Sequence, residues 1–458
     1  MEPTTVTYDH IQDVIGQLPI LKSYTHVLLC FPLADEKRTS ILASLESAAH
    51  TVISALPFLS GRVINEGAGP NNSGVFKVAR FPRQESPDHL FVRVEDRSAV
   101  CPSYDELLAA HGPSAMLPGY VLGPRKAFPE PYDEREDDPA PVLDIQANLI
   151  HGGLLLDIAA QHNIIDAGGI FQIANLLATA MRGDPIPKAQ IDEANRPRRE
   201  IIPLLGPCEP LLDHSDLRPS FVIKDLPPLA AVALFQWRYL RIPAAAVARI
   251  KAMADANPED FDPSTPFVST NDALTAFIWQ RLTIIRLARL QTPDAISRIS
   301  RAVDFRRVMG LSPAYLGHMI RVAFLRLSFT DIVNSSLSRL ASLLRKSVLD
   351  ITNEYSLRSY VTYIANEPDK ANIAYGGGFD PKTDLSCSSI AHIRVPVFGD
   401  LGKPDLLRRP TYRPLPCSAY TAPMLDGEGM EVLICLLGEE MELLRGNDVW
   451  RELIEYVG

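Results

Sequence analysis

The chain of 458 residues is too long for one ordinary hydrophobic core, and we expect two domains of similar size. Hydrophobic residues (46%) and charged residues (22%) occur at levels typical of soluble globular proteins, and the net charge of −10 argues against a nucleic-acid-binding surface. The six cysteines are widely spaced, the first residues show no signal-peptide pattern, and no apolar run reaches the roughly 20 residues of a membrane span, so we expect a cytoplasmic protein without a disulfide framework.

Strands and helices mix in the first part of the chain. Residues 22–34 are rich in apolar and β-branched side chains and predict a strand, and apolar residues at helical spacing over 35–56 predict a helix. Residues 123–141 are rich in Pro, Asp, Glu and Arg and predict an exposed loop. The other predictions here are a turn and strand over 56–63, a Gly/Asn loop at 67–74, strands at 76–79 and 90–94, a helix at 103–111, and two strands within 142–160.

A histidine stands where a buried strand ends and a turn begins. The apolar run 152–160 leads to His162, Asp166 follows four residues later, and a helix reaching about residue 181 begins after Gly168 and Gly169. A histidine at a strand end can reach into a cleft, and its near-neutral pKa suits proton transfer. The alternative is a core histidine that hydrogen-bonds to the backbone. The Gly-Gly pair is expected to let the backbone turn tightly.

Asp166 has two possible roles, as a second catalytic group or as a structural anchor. A carboxylate at a helix start is a natural N-terminal cap or ion-pair partner, and we favour the structural role. Arg301 and Arg306 are the expected partners of this carboxylate from the second part of the chain.

Prolines punctuate residues 183–229, where no long periodic element survives, and this composition predicts a crossover linker between domains. The expected division is therefore 1–184, a linker at 185–229, and 230–458. The second part again mixes both element types. Its predicted strands are 233–242, 298–306, 322–327, 391–397 and 431–437, and its predicted helices are 245–253, one starting at 269–272, 333–349, 439–444 and 449–457.

Two glycine-rich stretches lie in the second part. Residues 374–380 predict a turn. Residues 398–410 contain Gly399 and Gly402, and their Lys403, Arg408 and Arg409 supply local positive charge; the segment is either a structural loop with solvated charges or a functional one. No G-x-S-x-G, G-x-G-x-x-G or G-x-x-x-x-G-K-[ST] motif is present, which argues against a serine hydrolase and against these two nucleotide-binding loops.

The order of several distant segments resembles the BAHD-like acyl-CoA-dependent acyltransferases, most closely the fungal branch that includes the trichothecene 3-O-acetyltransferases. The resemblance covers nearly the whole chain and departs from the family pattern at Val397, Ile390 and His318, where Asp, Trp and Asn are usual or frequent. The segments that carry it are 56–62, His162-x-x-x-Asp166, Asp304-Phe305-Arg306, Tyr315-Leu316-Gly317-His318, Ser388-Ser389 and 398–404.

The resemblance implies an α/β (α+β) fold of two chloramphenicol-acetyltransferase-like domains, each a mixed sheet flanked by helices, with an active-site channel at their interface. His162 would be the general base, and Asp166, Gly168 and Gly169 would be structural. Acyl-CoA, with acetyl-CoA expected, would be the co-substrate of a monomer that acylates a hydroxyl of a specialised metabolite, with no permanently bound cofactor and no metal. The expected acyl-CoA or packing residues are Arg301, Arg306, Ser388, Ser389, Gly399, Gly402 and Lys403.

Three alternatives stay open at the level of sequence. One is N-acylation or a condensation-type reaction, although condensation domains usually carry two adjacent histidines and Gln161 precedes His162 here. Another is a non-acylating biosynthetic enzyme on the same fold. The third is a non-catalytic metabolite-binding protein, which the altered late motif favours and the intact His162/Asp166 pair disfavours.

Overall fold

The computed structural model describes residues 7–81, 89–132, 139–218, 227–427 and 429–458. The strands are β1 (Tyr24–Pro32), β2 (Arg62–Glu66), β3 (Val75–Ala79), β4 (Val92–Asp96), β5 (Leu143–Ile150), β6 (Gly153–Gln161), β7 (Phe235–Pro243), β8 (Ile296–Asp304), β9 (Ile320–Ser328), β10 (Leu385–Ser389), β11 (Leu406–Arg408), β12 (Ser418–Pro423), β13 (Gly429–Leu437) and β14 (Glu455–Tyr456). The helices are α1 (Arg38–Ala55), α2 (Tyr104–Ala109), α3 (Gly119–Leu122), α4 (Ala167–Met181), α5 (Lys188–Ala194), α6 (Leu229–Val232), α7 (Ala244–Asp255), α8 (Thr270–Leu290), α9 (Phe329–Asn334), α10 (Leu337–Ile351), α11 (Glu354–Asn366), α12 (Gly438–Gly446) and α13 (Asp448–Leu453).

The first main sheet has five strands in the order β11-β1-β6-β5-β4. Its central pair is antiparallel, with Tyr24 opposite Gln161 and Pro32 opposite Gly153, and only β4 and β5 run parallel. Because side chains alternate along a strand, Val27, Leu29 and Phe31 share one face, which packs with α1 and α4 in a common apolar core. The register of β1 on β6 therefore fixes where β6 ends, and His162 follows at once.

The second main sheet has seven strands in the order β14-β7-β13-β12-β10-β8-β9. Strand β10 runs parallel to both β12 and β8, and the other pairs are antiparallel. Its core is shared with α7, α8, α10, α12 and α13. The start of α8 is closed by a capping box between Ser269 and Asp272, which confirms the helix start predicted there.

A third apolar cluster contains residues from both parts of the chain. Ile15 and Leu18 from the first part pack with Phe305, Tyr315 and Leu357 from the second. In addition, β11 is contributed by residues far along the chain and pairs with β1. The two parts therefore share both a core and a sheet. The predicted division at 184 and 230 stays a prediction, and residues 219–226 of the linker lie outside the described residues, as do 133–138 of the expected loop.

The mixed α/β class is confirmed, whereas several element predictions are wrong. Residues 391–397 form no strand. The strand in this region is β10, which pairs with β8 and β12 and ends just before these residues. Pro396 has no backbone N–H to donate to a neighbouring strand, which suits a connecting segment. The helix expected at 449–457 ends at Leu453, and β14 then pairs with β7. The helix expected at 333–349 is interrupted because Ser336 caps a new helix, α10.

Candidate active site

His162 lies at the junction between β6 and the turn that leads to α4. Its backbone N–H donates to the carbonyl of Ser23, 2.8 Å away, so the turn is held against the start of β1. The side chain is half-buried. The sequence prediction of a histidine at a strand end is confirmed.

One hydrogen bond selects the tautomer of the His162 ring. Its Nδ1 lies 3.3 Å from the carbonyl oxygen of Ile165. A carbonyl oxygen only accepts, so Nδ1 carries the proton and donates it. The lone pair of the neutral ring is therefore on Nε2, which is the nitrogen able to take a proton from another molecule.

Aromatic side chains enclose the His162 ring. Phe128 meets it edge to face with ring centroids 5.6 Å apart, and the tilted ring of His318 lies at 5.3 Å. Burial lowers the pKa of His162 below its usual value, and the Ile165 carbonyl and the Asp166 charge oppose this shift in part. The ring is therefore neutral at physiological pH, as a general base must be.

Asp166 is fully buried and braces the turn instead of hydrogen-bonding to His162. Its carboxylate accepts two hydrogen bonds from Arg306, of 2.9 and 2.7 Å, and one each from the backbone N–H groups of Gly169 and Met319. Burial works against the ionised form, but the Arg306 charge and these bonds hold the pKa of the carboxyl below its usual range. Both the predicted N-cap role and the predicted partner Arg306 are confirmed.

The Gly168-Gly169 pair serves close approach and not a tight turn. Both residues lie in the first turn of α4, and neither has a positive φ. A Cβ on Gly169 would lie 2.6 Å from the carbonyl oxygen of Leu316, and one on Gly168 would lie 3.1 Å from Arg306 Nη1. The expectation that the glycines allow a tight turn is therefore wrong. Their lack of a side chain instead makes room for the segment that carries Arg306.

His318 extends the ring cluster around His162. Its ring is fully buried, and neither ring nitrogen has a hydrogen-bond partner in the part of the chain that the structure describes. Burial, followed by the neighbouring His162, lowers the pKa of His318 to about 3, so the ring is neutral. Tyr375 meets it edge to face at 5.9 Å. The glycine-rich stretch expected to be a plain turn thus places an aromatic side chain two rings from His162.

The other predicted site residues lie elsewhere. Arg301 pairs with Asp272 at the start of α8, at 2.8 Å. Ser388 and Ser389 lie on β10, opposite Tyr420 and Thr421 of β12. Among the residues that the structure describes, no contact places them beside His162, and their role in acyl-CoA binding stays a prediction.

The late glycine motif packs at the far end of α4. Gly399 and Gly402 have φ of 49° and 85°, and a Cβ on Gly399 would lie 2.6 Å from the carbonyl oxygen of Met181. Since α4 rises about 1.5 Å per residue from its start beside His162, the motif lies roughly 20 Å from the histidine. Lys403 is exposed. Gly399 therefore has a packing role, whereas a Cβ on Gly402 would meet nothing within 4 Å and Gly402 serves only the positive φ. A role of Lys403 toward acyl-CoA stays a prediction.

Phe128 and Tyr375 were not singled out as site residues from the sequence. Phe128 lies in a proline-rich stretch whose composition predicts only an exposed loop, and no local pattern distinguishes it. Within the described ranges, no cluster of three or more His, Cys, Asp or Glu side chains could hold a metal ion. None of the helices within these ranges is long and apolar enough to cross a membrane.

Comparison with known families gives two matches. Residues 23–181 match the trichothecene 3-O-acetyltransferase-like N-terminal domain, and residues 126–448 match the Transferase family. Together these matches run from the start of β1 to the first residue of the last helix, so the His162 turn and every strand of the two main sheets except β14 fall inside them.

Similar proteins are fungal acyltransferases. The O-acyltransferase pigD of Monascus ruber is 43% identical over 98% of both chains. The O-acetyltransferase epaC of Aspergillus niger is 39% identical over 98% of this chain and 96% of its own. The trichothecene 3-O-acetyltransferase TRI101 of Fusarium sporotrichioides is 31% identical over 99% and 98%.

A solved structure shows the same architecture. The crystal structure of F. graminearum TRI101 complexed with coenzyme A and deoxynivalenol matches with a TM-score of 0.88 and 30% identity, over 98% of this chain and 99% of that one. Vinorine synthase, with a TM-score of 0.59 and 17% identity, shares the fold. The predicted architecture of two mixed sheets flanked by helices is confirmed.

Proposed function

This chain belongs to the Transferase family, in its branch of fungal O-acetyltransferases, and from this premise we propose that it is an acyl-CoA-dependent O-acyltransferase with His162 as general base. The acceptor is a hydroxyl of a specialised metabolite, and acetyl-CoA is the proposed donor. The crystal structures of TRI101 with coenzyme A and with ethyl coenzyme A support a coenzyme A thioester as co-substrate.

The observation that carries the proposal is the state of the His162 ring. Its Nδ1–H donates to Ile165, its Nε2 keeps a lone pair, and burial keeps the ring neutral. A neutral imidazole held in one tautomer can accept a proton without first losing one. An alcohol needs such a base, because the pKa of its hydroxyl is far above the pKa of the His162 ring.

The reaction needs one proton carrier and no covalent enzyme intermediate. Nε2 of His162 takes the proton of the acceptor hydroxyl as its oxygen forms a bond to the thioester carbonyl carbon. The tetrahedral intermediate then expels the thiolate of coenzyme A, which receives the proton from His162. General-base catalysis of this kind contributes about two to four orders of magnitude, and holding both substrates together supplies much of the remainder.

Asp166 contributes as a positioning residue. Its hydrogen bonds to Arg306, Gly169 and Met319 hold the turn that carries His162 against the segment before β9. Burial lowers the pKa of His162, and the negative charge of Asp166 offsets part of this lowering. Asp166 therefore contributes to both the place and the basicity of the ring.

The test is the replacement His162→Ala, assayed by release of free coenzyme A from acetyl-CoA with a panel of hydroxylated fungal metabolites. We expect turnover to fall by about two to four orders of magnitude while binding of coenzyme A is retained. The matched control is His50→Ala, because His50 lies on α1 and pairs with Glu46 at the surface. Turnover by His162→Ala equal to that of the control would refute the general-base role.

A non-catalytic binding protein is the competing function from a different class. It predicts that the unaltered chain binds coenzyme A and a metabolite but transfers no acyl group in the same assay. The intact arrangement of His162, Ile165 and Asp166 supports the enzyme. In this proposal the division at 184 and 230 corresponds to the two sheets apart from β11, with the substrates bound between them by a monomer.

A further inference from the structure

Two consecutive arginines after the late glycine motif have opposite environments. Arg408 is fully buried, forms hydrogen bonds of 2.6 and 2.9 Å to both carboxylate oxygens of Glu431, and donates to the carbonyl oxygens of His111 and Gly112. Its donors are therefore used within the protein, which makes Arg408 a structural residue. Arg409 is partly exposed and has no such partner set.

The Arg409 guanidinium lies beside a stacked pair of aromatic rings, Trp237 and Tyr420, whose centroids are 5.7 Å apart. Its central carbon is 5.4 Å from the ring centroid of Trp237 and 5.3 Å from that of Tyr420, which belong to β7 and β12. Its backbone N–H is fixed by the hydroxyl of Tyr239, at 2.8 Å. Contact with two rings holds the cation in place and leaves the N–H edge of the planar group available.

Few of the Arg409 donors are used. Its Nη2 donates to the carbonyl oxygen of Phe128 at 2.8 Å, and this is its one side-chain hydrogen bond among the described residues. Within those residues it forms no ion pair with a carboxylate at 4.0 Å or less. A guanidinium has five N–H donors, so a fork suited to an anionic oxygen pair is left over.

Arg409 lies close to the reaction centre. The Phe128 that accepts its hydrogen bond is the residue whose ring packs edge to face on His162. The Arg409 charge also acts to lower the pKa of His162, which weakens the base. Asp157, the nearby carboxylate, is buried and hydrogen-bonded to His26 at 2.7 Å. A cation that weakens the base and has no carboxylate partner among the described residues is therefore better explained by a ligand than by stability.

We propose that Arg409 binds an ionised oxygen group of the acceptor, a carboxylate or an acidic phenolate or enolate, on a part of the acceptor remote from the hydroxyl that is acylated. The inference rests on the proposed acyltransferase function and adds the substrate class. Phe128 separates Arg409 from His162, so the group bound there is at a distance from the reacting oxygen. The contacts with Trp237 and Tyr420 orient the guanidinium, and a planar anion can bind in its plane through two parallel N–H groups.

Equilibrium binding of two isosteric probes tests the proposal without requiring turnover. Benzoate carries the anion, and benzamide is its neutral counterpart. We expect the unaltered protein to bind benzoate about tenfold or more tightly than benzamide, as a charged hydrogen-bonded pair provides. Arg409→Gln should abolish this preference, and Arg409→Lys should keep part of it because the charge remains without the fork.

Arg413→Gln is the matched control, because Arg413 lies in the same segment and donates to the carbonyl oxygen of Pro227 on the exposed side. It should keep the full preference, and so should His162→Ala, which separates this inference from the base assignment. The proposal fails if the unaltered protein shows no preference, or if Arg409→Gln keeps it.

Two further outcomes would assign Arg409 to other anions and overturn the proposal. Loss of coenzyme A binding in Arg409→Gln would place a phosphate of the donor at this cation. An equal fall of turnover at pH 7.5 for neutral and anionic acceptors alike would place the thioester oxyanion there. The proposal instead requires that Arg409→Gln raises KM for anionic acceptors and leaves neutral ones unchanged.

Discussion

Arg306 and Asp166, 140 residues apart in the chain, are joined by two parallel hydrogen bonds of 2.9 and 2.7 Å in a buried site. The pair connects the turn after β6 with the segment between β8 and β9. His162 lies on that turn, so the second part of the chain holds the proposed base of the first. An ion pair with this geometry links the stability of the protein to the position of its proposed base.

Replacing Asp166 with Asn tests this coupling. The side chain keeps its size, but its amide would present N–H donors where Arg306 and the Met319 backbone also donate. Removing one partner of a buried pair costs about 3–5 kcal/mol, so we expect the free energy of unfolding in urea to fall by that amount. Turnover should fall as well, because the His162 turn loses its brace.

The control for this variant is Asp184→Asn. Asp184 pairs with Arg182 at 2.8 Å, but both side chains are exposed, by 56% and 36%. An exposed pair contributes at most about 1 kcal/mol. Similar unfolding free energies for the two variants would show that the buried pair has no special role.

Local patterns predicted the elements around His162 because burial and helix capping are local properties. The apolar run of β6, the cap at Asp166 and the periodicity of α4 are each visible within about fifteen residues of sequence. Which arginine meets Asp166 is a different matter. Arg301 lies on β8 and meets Asp272, and Arg306 lies beyond the end of that strand. Only the fold distinguishes them.

Long-range pairing was the main source of error. Strand β11 has three residues and exists because β1 offers it an edge, which no pattern within Leu406–Arg408 could reveal. The wrong strand at 391–397 has the right apolar composition, yet β8 and β12 pair with the residues before it. Sequence also missed the cluster of Phe128, His318 and Tyr375, whose members come from three separate loops.

Gly169→Ala should separate close packing from backbone flexibility. The added Cβ would lie 2.6 Å from the Leu316 carbonyl oxygen and 2.8 Å from Ile165, so the two segments must move apart. We expect a loss of about 1–3 kcal/mol in unfolding free energy, as for other overpacked sites, together with lower turnover. Gly446→Ala, where a Cβ meets nothing within 4 Å, is the control and should be neutral or slightly stabilising. Equal stability of both variants would contradict the packing role.

The pH dependence of turnover should report the pKa of His162. Because burial lowers this pKa below 6.5, the acid limb of kcat/KM with a neutral acceptor should have its midpoint below pH 6.5. Asp166→Asn removes a charge that raises the pKa and should move the limb to lower pH. Arg409→Gln removes a charge that lowers it and should move the limb to higher pH. Shifts in the same direction for both variants would show that the limb belongs to another group.

His318 should make the protein less stable in acid. Its imidazole has a pKa of about 3 in the folded protein, against about 6.5 when unfolded, so between these values the unfolded chain binds more protons. The unfolding free energy contributed by His318 is thus fully present above pH 6.5 and is lost, at about 1.4 kcal/mol per pH unit, as the pH falls toward 3. His318→Asn removes this term, so its loss of stability from pH 6.5 to 5 should be smaller than that of the unaltered protein by about 1.4 kcal/mol per unit. Urea unfolding at several pH values, referenced to pH 7.5, measures the difference, and identical slopes would mean that His318 takes up a proton within the folded protein.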